Sequence, residues 1–253
     1  MIFVAIFAPF ITTYDPIEIN PIMRLQPPTI DHLFGTDSAG RDIFSRIIWG
    51  SRISLQIGLF VVTVGMIVGT LVGMISGYFG GIFDEIIMRI ADIFLAFPYL
   101  VFAMALTAAL GRGITNVMLA LAIVWWPAYA RLIRSKVLEI KELEYVEAAI
   151  ASGAGHFRIL FKYILPNAIS PVIVQGSIDF GQAIIFAAGL SFIGVGAQPP
   201  IPEWGAMVSE GSNYMREAWW YATFPGLAIL ITVIGFNILG DALRDLLDPR
   251  LYK

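Results

Sequence analysis

Long apolar runs parted by a few short polar passages set the pattern of this chain, and their lengths predict helices that cross a membrane. Ile53 to Phe83 carries no charge over 31 residues, more than the ~20 that a ~30 Å hydrocarbon core requires. Ile93 to Gly111 and Gly113 to Ala130 are separated only by Arg112. They predict a helical hairpin with its tip at Gly111 to Gly113 and kinks at Pro98 and Pro127. Asn167 to Gly196, interrupted by Asp179, and Ala218 to Gly240 complete the set. Met1 to Tyr14 is also uncharged, but at about 1.5 Å per residue it reaches only ~21 Å. It reads as the second half of a span whose start is cut short or misassigned. No basic segment precedes it and no small-residue cleavage site follows, so it does not read as a signal peptide. The expectation is an all-α polytopic membrane protein with five full spans and a partial first one, six in all.

Two polar passages stand between these runs. Asp15 to Arg52 is rich in proline and balanced charge and reads as an ordered extramembrane loop, ending in an amphipathic approach lined by Arg41, Asp42, Arg46 and Arg52. Leu138 to Pro166 is the second, and ten charged residues fall between Arg131 and Lys162. At helical period Val137, Ile140, Leu143, Val146 and Ile150 form one apolar stripe, which predicts an amphipathic helix of about four turns. Gly153 and Gly155 supply its stop. A second helix follows, with Phe157, Leu160, Phe161 and Ile164 on one side and Arg158 and Lys162 on the other, and Pro166 is expected to end it. Such a helix–glycine–helix unit, with small Ala148 and Ala149 at its centre, can enter a groove, and Glu147 can hold it there by a charge-assisted bond. A membrane-surface anchor prefers Lys and Arg on its polar face. The first helix is mostly acidic, which favours a protein partner.

Composition narrows the class without changing the pattern. The 253 residues are 58% hydrophobic and 14% charged, far from the roughly 25% charged make-up of soluble domains. A net charge of −3 and the absence of a basic patch exclude a nucleic-acid surface. Without cysteine there is no disulfide, thiolate metal site or cysteine nucleophile. Placing Leu138 to Pro166 in the cytoplasm puts ten Lys and Arg residues inside against six outside. This satisfies the positive-inside rule, and six spans then bring both termini to the cytoplasm.

Individual residues add candidate chemistry. Gly65, Gly69, Gly73 and Gly77 recur every four residues and line one helix face, which predicts close helix packing within the chain rather than a subunit interface. Asp179 lies inside a span, where an acid is either a pathway or proton-coupling group or a paired structural carboxylate. An ion-coupled secondary transporter using Asp179 is therefore one reading. Paired aspartates at 179 and 241 invite an intramembrane protease, but Ile-Leu-Gly-Asp stands at 238 to 241 in place of GxGD. No HExxH zinc motif and no phosphate loop occurs.

The segment EAAIASGAGHFRILFKYILP, Glu147 to Pro166, resembles the EAA signature of bacterial importer-type ABC transporter permeases, with Glu147, Ala148, Ala149, Gly153, Leu165 and Pro166 at matching positions. Three further blocks, HLFGTDSAGRDIFSRIIWGSRISL, GLSFIGVGAQPPIPEWGAM and FPGLAILITVIGFNILGDALRDLLDPR, are similar to the peptide and nickel permease family in its DppC/OppC-type branch. Tyr163 departs from the signature, where Ile or His is expected.

The resemblance implies a type I importer permease in a prokaryotic inner membrane. It divides the chain into a partial first span over 1–14, an extracytoplasmic loop over 15–52, a permease domain over 53–243 with a coupling loop over 138–166, and a cytoplasmic tail over 244–253. It further implies a homologous DppB/OppB-type second permease, two ABC ATPase subunits that bind ATP and Mg and receive the coupling helix, and an extracytoplasmic binding protein. That binding protein would deliver peptide or nickel chelate to outer loops including Asp15 to Arg52 and Gln198 to Glu217. No cofactor is implied in this chain itself.

Overall fold

A computed structural model describes residues 1–247. The end of the expected tail, 248–253 with Arg250 and Lys253, lies outside the described residues. Met1 to Tyr14 does not form one rod. Ile2–Ile6 (α1) and Ala8–Ile11 (α2) are separate short helices, because Pro9 removes a backbone N–H just where a continuous helix would need it. They rest on the next helix, whose Trp49 donates from Nε1 to Thr12 Oγ1 at 3.2 Å.

That helix, Ile43–Phe79 (α3), begins ten residues before the expected boundary at Arg52–Ile53. Asp42 caps it by accepting from the Ser45 N–H at 2.7 Å, and it also accepts from His32 Nδ1 at 2.9 Å. The expected amphipathic approach is thus the buried first turns of α3. Arg46 is only 1% exposed and donates to the Pro16 carbonyl at 3.0 Å. Its burial is tolerated because Arg41 and Arg46 share the carboxylate of Asp37, and Arg41 reaches Glu210 at 3.0 Å. The network locks the 15–42 loop onto the helices that follow.

Gly80 and Gly81, at φ +65° and +64°, turn the chain into Gly81–Ala96 (α4). The apolar run expected as one helix from Ile93 to Gly111 is instead broken: α4 and Tyr99–Leu110 (α5) meet at 94°. Pro98 lacks the N–H that would continue the helix, and Phe97 before it is extended at φ −94°, ψ 143°. Pro127 has no such effect, since Ile114–Ile140 (α6) runs through it. After α6 come Glu144–Ala151 (α7), His156–Arg158 (α8), a π-helical stretch over Ile159–Ile164, Leu165–Ala168 (α9) and Ser170–Phe192 (α10). Trp204–Ser212 (α11) and Trp219–Leu247 (α12) complete the described chain. Among the described residues four helices (α3, α6, α10 and α12) are long and apolar enough to span a bilayer, and counting the bent pair α4–α5 as one broken span gives five.

The core is built on α3 and α6, which run parallel. Gly65 faces Trp125, Gly69 faces Trp126 and Tyr129, Gly73 faces Ala130 and Ile133, and Gly77 faces Arg134 and Val137. A second core at the other end gathers Ile43, Ile47, Trp204, Met207 and Tyr221. The stretch from Gln198 to Glu217 is therefore not an open loop. It carries α11, whose fully buried Trp204 donates from Nε1 to the Ile47 carbonyl at 3.0 Å.

Glu203 caps α11, its carboxylate accepting from the Gly205 and Ala206 N–H groups, both at 2.9 Å. Burial pushes this carboxyl above the usual carboxylate range, against the pull of those two donors. A carboxyl raised in the folded state holds its proton better there than in the unfolded chain. Its stabilising contribution is present below the ordinary carboxyl range and is lost as pH rises through the folded value. Acidification from neutral towards about pH 5 should therefore raise the thermal midpoint of the parent relative to Glu203→Gln. Parallel midpoints across that range exclude it.

Candidate functional site

The polar passage after α6 folds at the same end as the Gly80–Gly81 corner and the end of α12. Ser170 Oγ donates to the Leu247 carbonyl there at 3.4 Å. The expected four-turn helix over Val137 to Ile150 is not formed. α6 stops at Ile140, Lys141 to Leu143 make a turn, and α7 is eight residues long. The reason is burial: past Ile140 a straight helix would leave α3 behind, whereas the turn brings Val146 and Ala149 back onto the core side of the π-helical stretch, where Ile159, Leu160 and Ile164 are buried. Two of the five stripe residues consequently face outward, Leu143 at 44% and Ile150 at 51% exposed. The second helix divides in the same way. Leu160 and Ile164 face in, while Phe157 is 75% exposed and Phe161 38%.

α7 ends in a Schellman turn. Gly153, at φ +80°, donates its N–H to the Ile150 carbonyl at 2.9 Å, and Ala154 donates to Ala149 at 3.0 Å. A Cβ at Gly153 would meet nothing within 4 Å, so glycine is required here for its backbone angles and not for space. Gly155, at φ −69°, is not left-handed and serves as the cap residue of α8.

Pro166 does not end the second helix. It sits in the first turn of α9, where a missing N–H costs least, and helix continues to α10 with a single bend at Ile169. The Tyr163 carbonyl just before it accepts from Asn167 Nδ2 at 2.7 Å. Glu147 and Ala148 are exposed, Ala149 is buried and Leu165 is half-buried. Of the motif residues Glu147, Ala148, Gly153 and Pro166 are exposed, and Glu147 lies in the first turn of α7, where the helix dipole favours a carboxylate.

Three contacts absent from the sequence reading order this end of the molecule: one clamps α3, α4 and α6 together, and two join the segments flanking α7 to α3. Arg134 of α6 grips Asp84 of α4 with two bonds, Nε to Oδ1 at 2.6 Å and Nη2 to Oδ2 at 2.5 Å, and Ser76 of α3 also donates to Asp84. Lys141 Nζ donates to the Gly77 carbonyl at 3.3 Å. The Tyr78 hydroxyl and His156 Nδ1 are hydrogen-bonded at 2.8 Å. Ser76, a lone polar side chain beside Gly77 at the end of the glycine face, was the available signal for this clamp. Replacing Asp84 with Ala leaves the Arg134 guanidinium partly buried without a partner, and should cost about 1–3 kcal/mol in thermal unfolding of the detergent-solubilised protein.

Asp179 is remote from this surface. It is buried in α10, where Oδ2 accepts from Trp125 Nε1 at 2.9 Å and Oδ1 from Gln175 Nε2 at 2.8 Å. The Trp125 bond ties α10 to α6, while Gln175, one turn earlier in α10, holds the other carboxylate oxygen.

Residues 69–253 match the family described as binding-protein-dependent transport system inner membrane component. The chain belongs to this family. The dipeptide transport system permease protein DppC of Alkalihalophilus pseudofirmus is 50% identical over 250 residues, covering 99% of this chain and 82% of that protein. The probable D,D-dipeptide transport system permease protein DdpC of Escherichia coli K12 is 51% identical over 250 residues, covering 99% and 84%. Among solved structures, the inward-facing MetNI methionine ABC transporter contains a chain that superposes with a TM-score of 0.66 at 19% identity, covering 80% of this chain and 96% of that one. At that identity the likeness establishes the fold alone. This inner membrane component is a multi-pass membrane protein, and its relatives are named as permease proteins of transport systems.

Proposed function

We propose that the chain is the permease subunit of an ATP-driven importer for di- and oligopeptides. It forms half of a translocation pore with a homologous permease, and it is driven through Glu147, Ala148, Ala149, Gly153, Leu165 and Pro166 by cytoplasmic ATPase subunits that hold ATP and Mg. The observation that carries this reading is the exposed surface around α7, with outward Leu143, Ile150 and Phe157, whose flanking residues Lys141 and His156 reach Gly77 and Tyr78 of α3 next to the Asp84–Arg134 pair that joins α4 to α6. A push on α7 would reach α3 through the flanking Lys141 and His156, and from there α4 and α6 through the Asp84–Arg134–Ser76 clamp. The charge-locked 15–42 loop and α11 lie at the opposite end and suit an extracytoplasmic binding protein. On this reading the α7 end and both termini face the cytoplasm. Peptide is favoured over nickel chelate because the relatives at 50% and 51% identity are named for dipeptides.

The test is the complex of this permease, its second permease, its ATPases and its binding protein in nanodiscs. Dipeptide with binding protein should raise ATP turnover and nickel chelate should not, and the reverse result overturns the substrate assignment. Asp179→Asn keeps a side chain of the same shape, and should leave uptake dependent on ATP and indifferent to a pH gradient. Uptake that follows the gradient without ATP overturns the importer reading in favour of an ion-coupled transporter.

A further inference from the structure

Resting on the coupling reading above, we propose that the ATPase subunit inserts an acidic side chain into a socket beside α7, with Arg158 as the counter-charge. The socket is a concavity of about 370 Å³ between α7 and the π-helical stretch, with Tyr145, Ala148, Ser152, Gly153, Arg158 and Tyr163 in its walls. A space of this size has room for one side chain and a few waters.

Its electrostatics are lopsided. Among the described residues Arg158 has no hydrogen-bond or ion-pair partner, and Lys162, also exposed, has none. The other edge of the same surface carries Glu142, Glu144 and Glu147, likewise exposed. A partner that covered this surface with one sign of charge would bury like charges against each other at one edge, which is costly. The complementary partner presents bases to the start of α7 and an acid to the socket. Burying Arg158 under an apolar side chain instead would desolvate a guanidinium without compensation. A carboxylate meets its planar fork with two parallel bonds, which an ammonium cannot offer.

Arg158→Glu, Arg158→Lys, Ser152→Trp and Glu147→Lys are compared in the whole transporter, purified into nanodiscs of neutral lipid and again with anionic lipid. The amount of ATPase retained is measured at low and high salt, and membrane insertion is followed alongside. Arg158→Glu should lower retention about tenfold or more, and Arg158→Lys by less. Ser152→Trp fills the socket without changing charge and should lower retention at both salt concentrations, with insertion unchanged in all four. If Glu147→Lys sheds the ATPase while Arg158→Glu and Ser152→Trp hold it at the parent level, the socket is excluded and the coupling reading stands. If all four hold it, the coupling reading itself fails. A loss with Arg158→Glu confined to anionic nanodiscs assigns Arg158 to a lipid phosphate and overturns the proposal.

Discussion

Replacing Gly73 with valine is expected to abolish accumulation of the folded permease. The Cβ at this position would meet the Ala130 carbonyl oxygen and stand 2.5 Å from Ile133 Cγ2. One neighbour is backbone inside a helix and cannot rotate away, so α3 and α6 must separate. That separation would uncover the seam that also holds Gly65, Gly69 and Gly77 against Trp125, Tyr129 and Val137. Overpacking of a well-packed core costs about 1–3 kcal/mol where side chains can yield, and a contact with fixed backbone belongs at the upper end or beyond. Folded proteins have only about 5–15 kcal/mol in hand. The measurement is yield of monodisperse protein after detergent extraction, with Gly235→Val as control, since a Cβ there meets nothing within 4 Å. Equal yields for Gly73→Val and Gly235→Val would falsify the close-packing account of the glycine face.

Gly153→Val should leave the protein inserted and extractable but remove the ATPase from the purified transporter, lowering uptake by about tenfold or more. Space is not the cause, because the position is open. The cause is φ +80°, which costs an L side chain roughly 1–2 kcal/mol and a β-branched one most. Relaxing that angle breaks the bonds from Gly153 to Ile150 and from Ala154 to Ala149, so the end of α7 frays. Gly153→Asn tests the cause, since asparagine visits the left-handed region more readily than other side-chain-bearing residues. It should restore most of the ATPase. If Val and Asn behave alike, the turn geometry is not what the partner reads. The contrast with Gly73 shows one residue type serving two ends, close approach in one place and backbone handedness in the other.

Both glycine sets stood out in the sequence, one by its four-residue period and the other by its place after an amphipathic stretch. The period did not reveal the partner: that Gly69 meets Trp126 and Tyr129 depends on how α3 and α6 pair. The motif around Glu147 was legible as a polar surface between two apolar spans. Its shape was not, because a stripe read at constant helical period assumes an unbroken helix. The chain broke at Lys141 to Leu143 so that Val146 and Ala149 could be buried while Leu143 and Ile150 stayed outside. Ser76 apart, the Asp84–Arg134–Ser76 clamp was hidden for a related reason. Its members lie on three different helices, and separation along the chain says nothing of meeting in space.

The local chemistry of each stretch therefore determined the apolar runs, the all-α class, the glycine turn after α7 and the motif at Glu147 to Pro166. Tertiary structure decided where helices end, as at Pro98, which broke a span, and at Pro127, which did not. It also decided which charges are buried: Arg46 reads as a loop residue and lies in the core because Asp37 and the Pro16 carbonyl are there to receive it. The physical reason is the same in each case. A helix continues, or a charge is buried, only when the groups it strips of water find partners, and those partners come from distant parts of the chain.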